Sequence, residues 1–171
     1  YAQKRFGTAY GSLSEERKAG IAARVKKELR ENRYDAAPAR RGTAAIQRVD
    51  GLTDAAVEFS GRHKLHVAKM PAVEKLERIT LSAWVMPAKF EKYNEIFRKA
   101  DGDRRVLFSF QEHGTVLSLG LNVGGYVECD AQITPADVLD GLWHHCAATF
   151  DGRVMRVYLD GREIGSLERT G

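Results

Sequence analysis

Five Asp-Gly pairs, at 50–51, 101–102, 140–141, 151–152 and 160–161, punctuate the chain from Asp50 onward, and Gly124-Gly125 adds a sixth break. Such pairs tolerate the positive φ angles of tight hairpin turns, so they cut the chain into pieces too short for long helices. The segments between them alternate with the period of a strand. Ile79, Leu81, Ala83 and Val85 share one face, and Thr80, Ser82, Trp84 and Met86 share the other, until Pro87 stops the run. Segments 105–110, 115–121 and 125–131 are each of strand length. Cys146, Ala148 and Phe150 form an apolar face that ends at Asp151-Gly152. Met155, Val157 and Leu159 form another that ends at Asp160-Gly161. Many short strands at this spacing predict an antiparallel sandwich or barrel. One helical turn is expected at Thr134-Pro135-Ala136-Asp137, with Thr as cap and Pro in the first turn.

The first 50 residues read differently. They hold twelve Lys and Arg against six Asp and Glu, whereas the remaining 121 hold fifteen against seventeen. The formal charge of +4 and the pI near 9.1 therefore belong to the leading segment. Ser12 or Ser14 can cap a helix running to about Asn32, with Glu15 and Glu16 at its positive end. Ile21, Val25 and Leu29 give it one narrow apolar stripe. Residues 36–42 read as a linker. Glu28 and Glu31 break the basic face and no aromatic residues interleave with the charges, so the helix is expected to dock on a neighbour, with no nucleic-acid partner. No apolar run approaches the ~20 residues that span a bilayer, so no membrane span is expected. The chain opens on Tyr1 with no leader pattern, which reads as a mature product or an excised segment. The expected division is a basic helical extension and linker at 1–50, then a β domain at 51–171.

Four segments of that second part form an ordered set: Ala56-Val57-Glu58-Phe59-Ser60-Gly61, Ile79 to Pro87, Trp143-His144-His145-Cys146-Ala147-Ala148-Thr149-Phe150-Asp151-Gly152, and Val157-Tyr158-Leu159-Asp160-Gly161. In that order and spacing they resemble the laminin G-like jelly-roll domain of the concanavalin A-like lectin and glucanase superfamily. The resemblance covers roughly residues 53–171 and implies an all-β, antiparallel jelly-roll sandwich, here preceded by the N-terminal α-helix. It also implies a curved face often used for ligands. Relatives continue with a further closing strand where this chain reaches Thr170-Gly171, so the chain is expected to be a fragment of a longer protein that lacks its last strands.

Because the superfamily includes glucanases, a catalytic reading has to be weighed. A retaining glycosidase needs two carboxylates about 5 Å apart. The glucanase relatives supply them as Glu-x-Asp-x-x-Glu on one strand. Glu128-Cys129-Asp130 starts that pattern, but its third acidic position is Ile133, so no catalysis of this kind is expected. Glu128 and Asp130 then read as the solvent face of a strand whose other face carries Val127, Cys129 and Ala131. His63 and His66 are three apart on an expected strand and diverge, as do the adjacent His144 and His145, so no histidine pair shares a metal. The resemblance implies structural roles for His144 and His145. His113 precedes Gly114 in a turn.

Calcium is the cofactor to consider. Many relatives of this family hold one Ca²⁺ at the sandwich rim, and by composition alone Asp101-Gly102-Asp103 offers two carboxylates on an expected rim turn. Sugar recognition instead needs an aromatic ring for the apolar face of the sugar and planar polar groups around it. Trp84, Arg156 and Tyr158 all fall on outward positions and would share one surface if their strands belong to one sheet. Against this, Trp is common at the Trp84 position in the family regardless of ligand, so packing under a loop is the favoured role for Trp84, and Trp143 is expected to anchor the loop before its strand. Cys129 and Cys146 both fall on core faces, either bridged if their strands are neighbours or buried as free thiols. The expected function is a non-catalytic recognition module that binds carbohydrate or a glycosylated extracellular partner. It would form part of a larger exported, extracellular or periplasmic, bacterial protein and contact adjoining domains of the same polypeptide. The competing readings are a structural domain packed on an adjoining catalytic domain, and a glucanase-type hydrolase.

Overall fold

The computed structural model describes residues 47–59, 63–66, 77–99 and 105–170. The chain divides into two compact units, Tyr1–Pro71 and Ala72–Gly171. The helix expected over residues 14–32 and the linker at 36–42 lie outside the described residues, so the described part of the fold is all-β apart from two 3-10 turns.

In the first unit β1 (Gln47–Asp50) pairs antiparallel with β2 (Ala55–Glu58) around the Asp50-Gly51 break. Residues 63–66, expected as strand, take no regular structure.

The second unit is a sandwich of two antiparallel four-stranded sheets. One sheet has the order β10-β9-β8-β3 and the other β4-β5-β6-β7. Their ranges are β3 (Ile79–Val85), β4 (Tyr93–Lys99), β5 (Val106–Gln111), β6 (Val116–Asn122) and β7 (Tyr126–Gln132). The set ends with β8 (His144–Phe150), β9 (Val154–Leu159) and β10 (Arg162–Glu168). The chain leaves β3, builds the β4–β7 meander in the second sheet, and returns to lay β8 beside β3.

The inner faces follow the alternation expected from the sequence. Cys146, Ala148, Phe150, Met155 and Val157 of the first sheet meet Phe108, Phe110, Leu117, Leu119, Cys129 and Ala131 of the second, all buried. Val138, in the connection between β7 and β8, closes one end of this core. Full burial of a side chain such as Phe108 removes it from water and contributes on the order of 2–3 kcal/mol.

Four of the six turn signals join adjacent strands: Asp50-Gly51, Gly124-Gly125, Asp151-Gly152 and Asp160-Gly161. Asp140-Gly141 does not. It sits in the crossover from β7 to β8, where the chain changes sheets, so its bend serves a connection and not a hairpin. Asp101-Gly102 lies outside the described residues. The expected turn after Thr134 is present as a 3-10 turn over Pro135–Asp137, although the Thr134 side chain makes no capping hydrogen bond.

Two local devices fix the ends of the meander. Between β5 and β6 the backbone runs through Glu112, His113 and Gly114, all at positive φ. A Cβ on Gly114, at φ +84°, would run into the Phe90 ring, which packs on Phe110 with centroids 4.8 Å apart. Just past β10, Arg169 donates from Nε to the Val123 carbonyl and from a terminal nitrogen to the Gly124 carbonyl, both at 3.0 Å, tying the tail of one sheet to a turn of the other.

Gly114→Ala should destabilise the sandwich by about 2 kcal/mol or more, through the left-handed backbone and the encroachment on Phe90. Arg169→Ala should cost about 1–2 kcal/mol for its two charge-assisted bonds. Chemical denaturation of each variant measures both, and an Ala at 114 with wild-type stability would contradict the packing described.

Candidate functional site

Each sheet of the sandwich has an outward face, and the two differ. On the β10-β9-β8-β3 sheet, Trp84 stands across from His145, Ala147 across from Tyr158, and Thr149 across from Arg156. The structure therefore places Trp84, Tyr158 and Arg156 on one surface, with β8 between the first and the other two. Trp84 is 40% exposed, and its ring leans on His145 at 5.1 Å between centroids. The Arg156 guanidinium donates to Asp151 at 2.7 Å and also lies 3.6 Å from Glu163. Asp151 further accepts from the Arg153 and Val154 amides, and these bonds, the one from Arg156 first, hold its carboxyl well below the usual range. This arrangement spends the Arg156 charge within the domain and leaves Trp84 as the exposed ring.

The β4-β5-β6-β7 sheet is built differently. The register aligns Glu95, Ser109, Ser118 and Asp130 in one outward row. Tyr93, Gln111, Val116 and Gln132 form the next row on one side, and Leu107, Gly120 and Glu128 lie on the other. Strand β6 is buried on both faces: Ser118 is fully buried and Ser109 beside it is 1% exposed. Short polar side chains thus form a floor along the two central strands. Taller groups rise at the margins, namely Glu95 and Tyr93 on β4 and Asp130, Glu128 and Tyr126 on β7.

Hydrogen bonds fix the floor. Ser118 donates to Asp130 at 2.6 Å. The Gln111 amide reaches both Ser109 and Glu128. The Tyr126 hydroxyl donates to Glu128 at 2.6 Å. Burial, and then that carboxylate, raise the Tyr126 phenol above its usual range, so it remains a donor at all physiological pH. Gly120 makes room for this ring, because a Cβ there would overlap the Tyr126 hydroxyl. Arg105 covers the ring with its guanidinium 5.1 Å from the centroid. Arg98 pairs with Glu95 on the opposite margin.

Glu128 and Asp130 do share this outward face, with Cys129 and Ala131 turned to the core, as the alternation predicts. Sequence reading missed the face that surrounds them because β4 was not recognised as a strand. Its bulge between Glu95 and Phe97 breaks the two-residue alternation, so Tyr93 and Glu95 could not be placed beside β5. Asp101 and Asp103, the calcium candidates, lie outside the described residues. Among the described residues no cluster of three or more His, Cys, Asp or Glu could hold a metal ion.

Cys129 and Cys146 are free and buried, on strands of opposite sheets. Burial pushes the Cys129 thiol up to about 11 and the Cys146 thiol up to about 12. Neither is a nucleophile in the folded domain.

These two sheets, closed over one core with β8 returned beside β3, define an antiparallel β-sandwich of the lectin-like kind. The chain belongs to the concanavalin A-like lectin/glucanases superfamily, whose laminin G profile matches residues 60–171, about two thirds of its length. Laminin G-like domains are typically extracellular binding modules and are generally non-catalytic. Among solved structures, domains LG4-5 of the mouse laminin alpha1 chain are 23% identical, with a TM-score of 0.41, over 55% of this chain and 24% of that one. The chain thus spans about a quarter of the laminin structure it matches. A search of curated proteins returns no match. No helix among the described residues is long and apolar enough to cross a membrane.

A thiol-reactive aromatic disulfide should leave the native chain unmodified at neutral pH and release two equivalents per chain in denaturant. Rapid reaction of the native protein would contradict the burial of Cys129 and Cys146.

Proposed function

We propose that this domain is a non-catalytic recognition module that binds carbohydrate, free or carried by a glycosylated partner, on the outward face of β4–β7. The observation that carries the reading is the exposed margin of that face, Tyr93, Glu95 and Asp130, set around a buried polar row of Ser109, Ser118 and Gln111. Sugar hydroxyls are recognised by fixed, planar donors and acceptors, and their C–H faces by an aromatic ring. The face supplies both: an exposed carboxylate at Asp130, with Glu95 beside it already paired to Arg98, and an exposed ring at Tyr93. The carboxylates are acceptors for vicinal hydroxyl pairs and disfavour sulfated or other anionic glycans through like-charge repulsion. Within a longer exported protein, such a face would direct the attached domains to a glycan-bearing surface.

The opposite face, with Trp84, Tyr158 and Arg156, is the second location to consider, because its exposed tryptophan is the residue type best suited to stack on a sugar. Its weakness is that Arg156 is already committed to Asp151.

A glycan array with the wild-type chain, Tyr93→Ala, Asp130→Asn and Trp84→Ala discriminates between the two. Binding to neutral glycans is expected, with at least about a tenfold loss for Tyr93→Ala and Asp130→Asn and little change for Trp84→Ala, since a stacked ring or a paired hydrogen bond contributes on the order of 1–2 kcal/mol. Loss on Trp84→Ala alone would move the site to the other sheet. Silence across the array would sink the carbohydrate reading, and turnover of a β-glucan would overturn the non-catalytic one.

A further inference from the structure

The start of β8 holds an arrangement that glycan recognition does not use. His144 is 6% exposed, and each of its ring nitrogens faces a carboxylate. Nδ1 lies 2.8 Å from Asp160 and Nε2 lies 3.0 Å from Asp140. The two carboxylates come from different segments. Asp140 sits in the crossover between β7 and β8, where it also accepts the Leu142 amide at 2.8 Å. Asp160 sits in the β9–β10 turn at φ +49°, and its second oxygen accepts the His145 amide at 2.9 Å. Asp140 therefore fixes its own turn, whereas Asp160 is tied to β8 by the His145 amide and by its own amide, which donates to the His145 carbonyl at 2.8 Å; both carboxylates bind the shared ring.

The proton count follows from this geometry. A neutral imidazole carries one N–H, so one of the two contacts would set a ring lone pair against a carboxylate oxygen. Only the imidazolium donates to both. We infer that Asp140, His144 and Asp160 form a protonation-dependent latch, which holds the β7–β8 crossover on the start of β8 while His144 is charged and releases it when the ring loses its proton, the β9–β10 turn staying on β8 through its bonds to the His145 backbone.

The electrostatics have the required sign. Burial of the ring opposes its charge, but the hydrogen bonds to Asp160 and Asp140, together with their negative charges, outweigh it and raise the His144 pKa above its ordinary value of 6.5. The bond from His144 likewise lowers Asp140, helped by the Leu142 amide. From β3 the residue across from His144 is Val85, which carries no charge. The adjacent His145 moves the other way, lowered by burial against a smaller upward pull from Asp160. Because the folded-state pKa of His144 is raised, the latch stabilises the fold below pH 6.5 and loses that contribution as pH rises through the raised value. The Asp140 contribution runs opposite: present above its unfolded value of 3.8 and lost as pH falls through its lowered one. The latch is closed between these limits and opens on the alkaline side. Its release frees the segment that carries Leu142, an exposed apolar side chain at the rim.

The test is NMR on the intact chain, with the His144 ring shifts and the protection factors of the Leu142 and His145 amides followed against pH. The ring should titrate above 6.5, and the Leu142 amide should lose protection over the same interval, with the His145 amide and the β5–β6 core unchanged. Asp140→Asn removes one negative acceptor from a half-exposed site and should lower the His144 titration without unfolding the domain. His144→Gln cannot carry the charge and should abolish the pH step in protection. Should that variant fail to fold, the ring titration and Asp140→Asn still decide the matter. A His144 ring that titrates at or below 6.5, or Leu142 amide protection that stays flat across its titration, would overturn the latch.

Discussion

The pairing of β3 with β8 is the contact on which the sandwich depends. It joins seven consecutive residue pairs, from Ile79 opposite Phe150 to Val85 opposite His144, across the whole length of the meander. Every other pairing in the two sheets is between strands adjacent in sequence. The β4–β7 sheet and the β8–β10 ribbon can therefore form locally and supply the buried core between them, while β3 completes the first sheet only by reaching β8. Closing so long a loop is entropically costly before the buried faces offset it, which makes this step the slow one for a β fold. The inward side chains at this seam alternate Ile79, Leu81, Ala83 and Val85 against Phe150, Ala148, Cys146 and His144, so a one-residue slip would turn the entire apolar set outward.

That seam also places the chemistry. His144 is the first inward position of β8, where the rim gives way to the apolar core. A polar side chain there must find partners, and the chain supplies them from the turns that precede β8 and follow β9. The same strand presents its outward residues to Trp84 and Tyr158, so the two faces and the rim are all set by one register.

The sequence made the hairpins and the inner faces legible because turn chemistry and two-residue alternation are local signals. Asp151-Gly152 and Asp160-Gly161 join the strands they were expected to join, and Cys146, Ala148 and Phe150 point inward. What was hidden was long-range or irregular. Strand β4 carries a bulge, and β10 carries another between Glu163 and Gly165, and both interrupt the alternation that would have revealed them. Asp140-Gly141 uses the same dipeptide as the hairpins but bends a crossover, a difference that only the sheet order exposes. The site face was legible only in part. Glu128 and Asp130 were placed outward, but Ser109, Ser118 and Gln111 carry no signal by themselves. Their role comes from being short in the middle of a sheet whose margins are tall.

The contact between Gly120 and Tyr126 has a consequence for how this sequence can vary. Glycine in the middle of a strand forfeits packing and conformational restriction, and the ring laid across it restores the lost cover. The two positions then behave as one unit of inheritance. A larger residue at 120 demands that the ring at 126 leave, and a smaller residue at 126 exposes bare backbone at 120. Descendants of this domain should change both positions together or neither, and the joint change would carry Arg105 and Glu128 with it, since both are seated on the same ring.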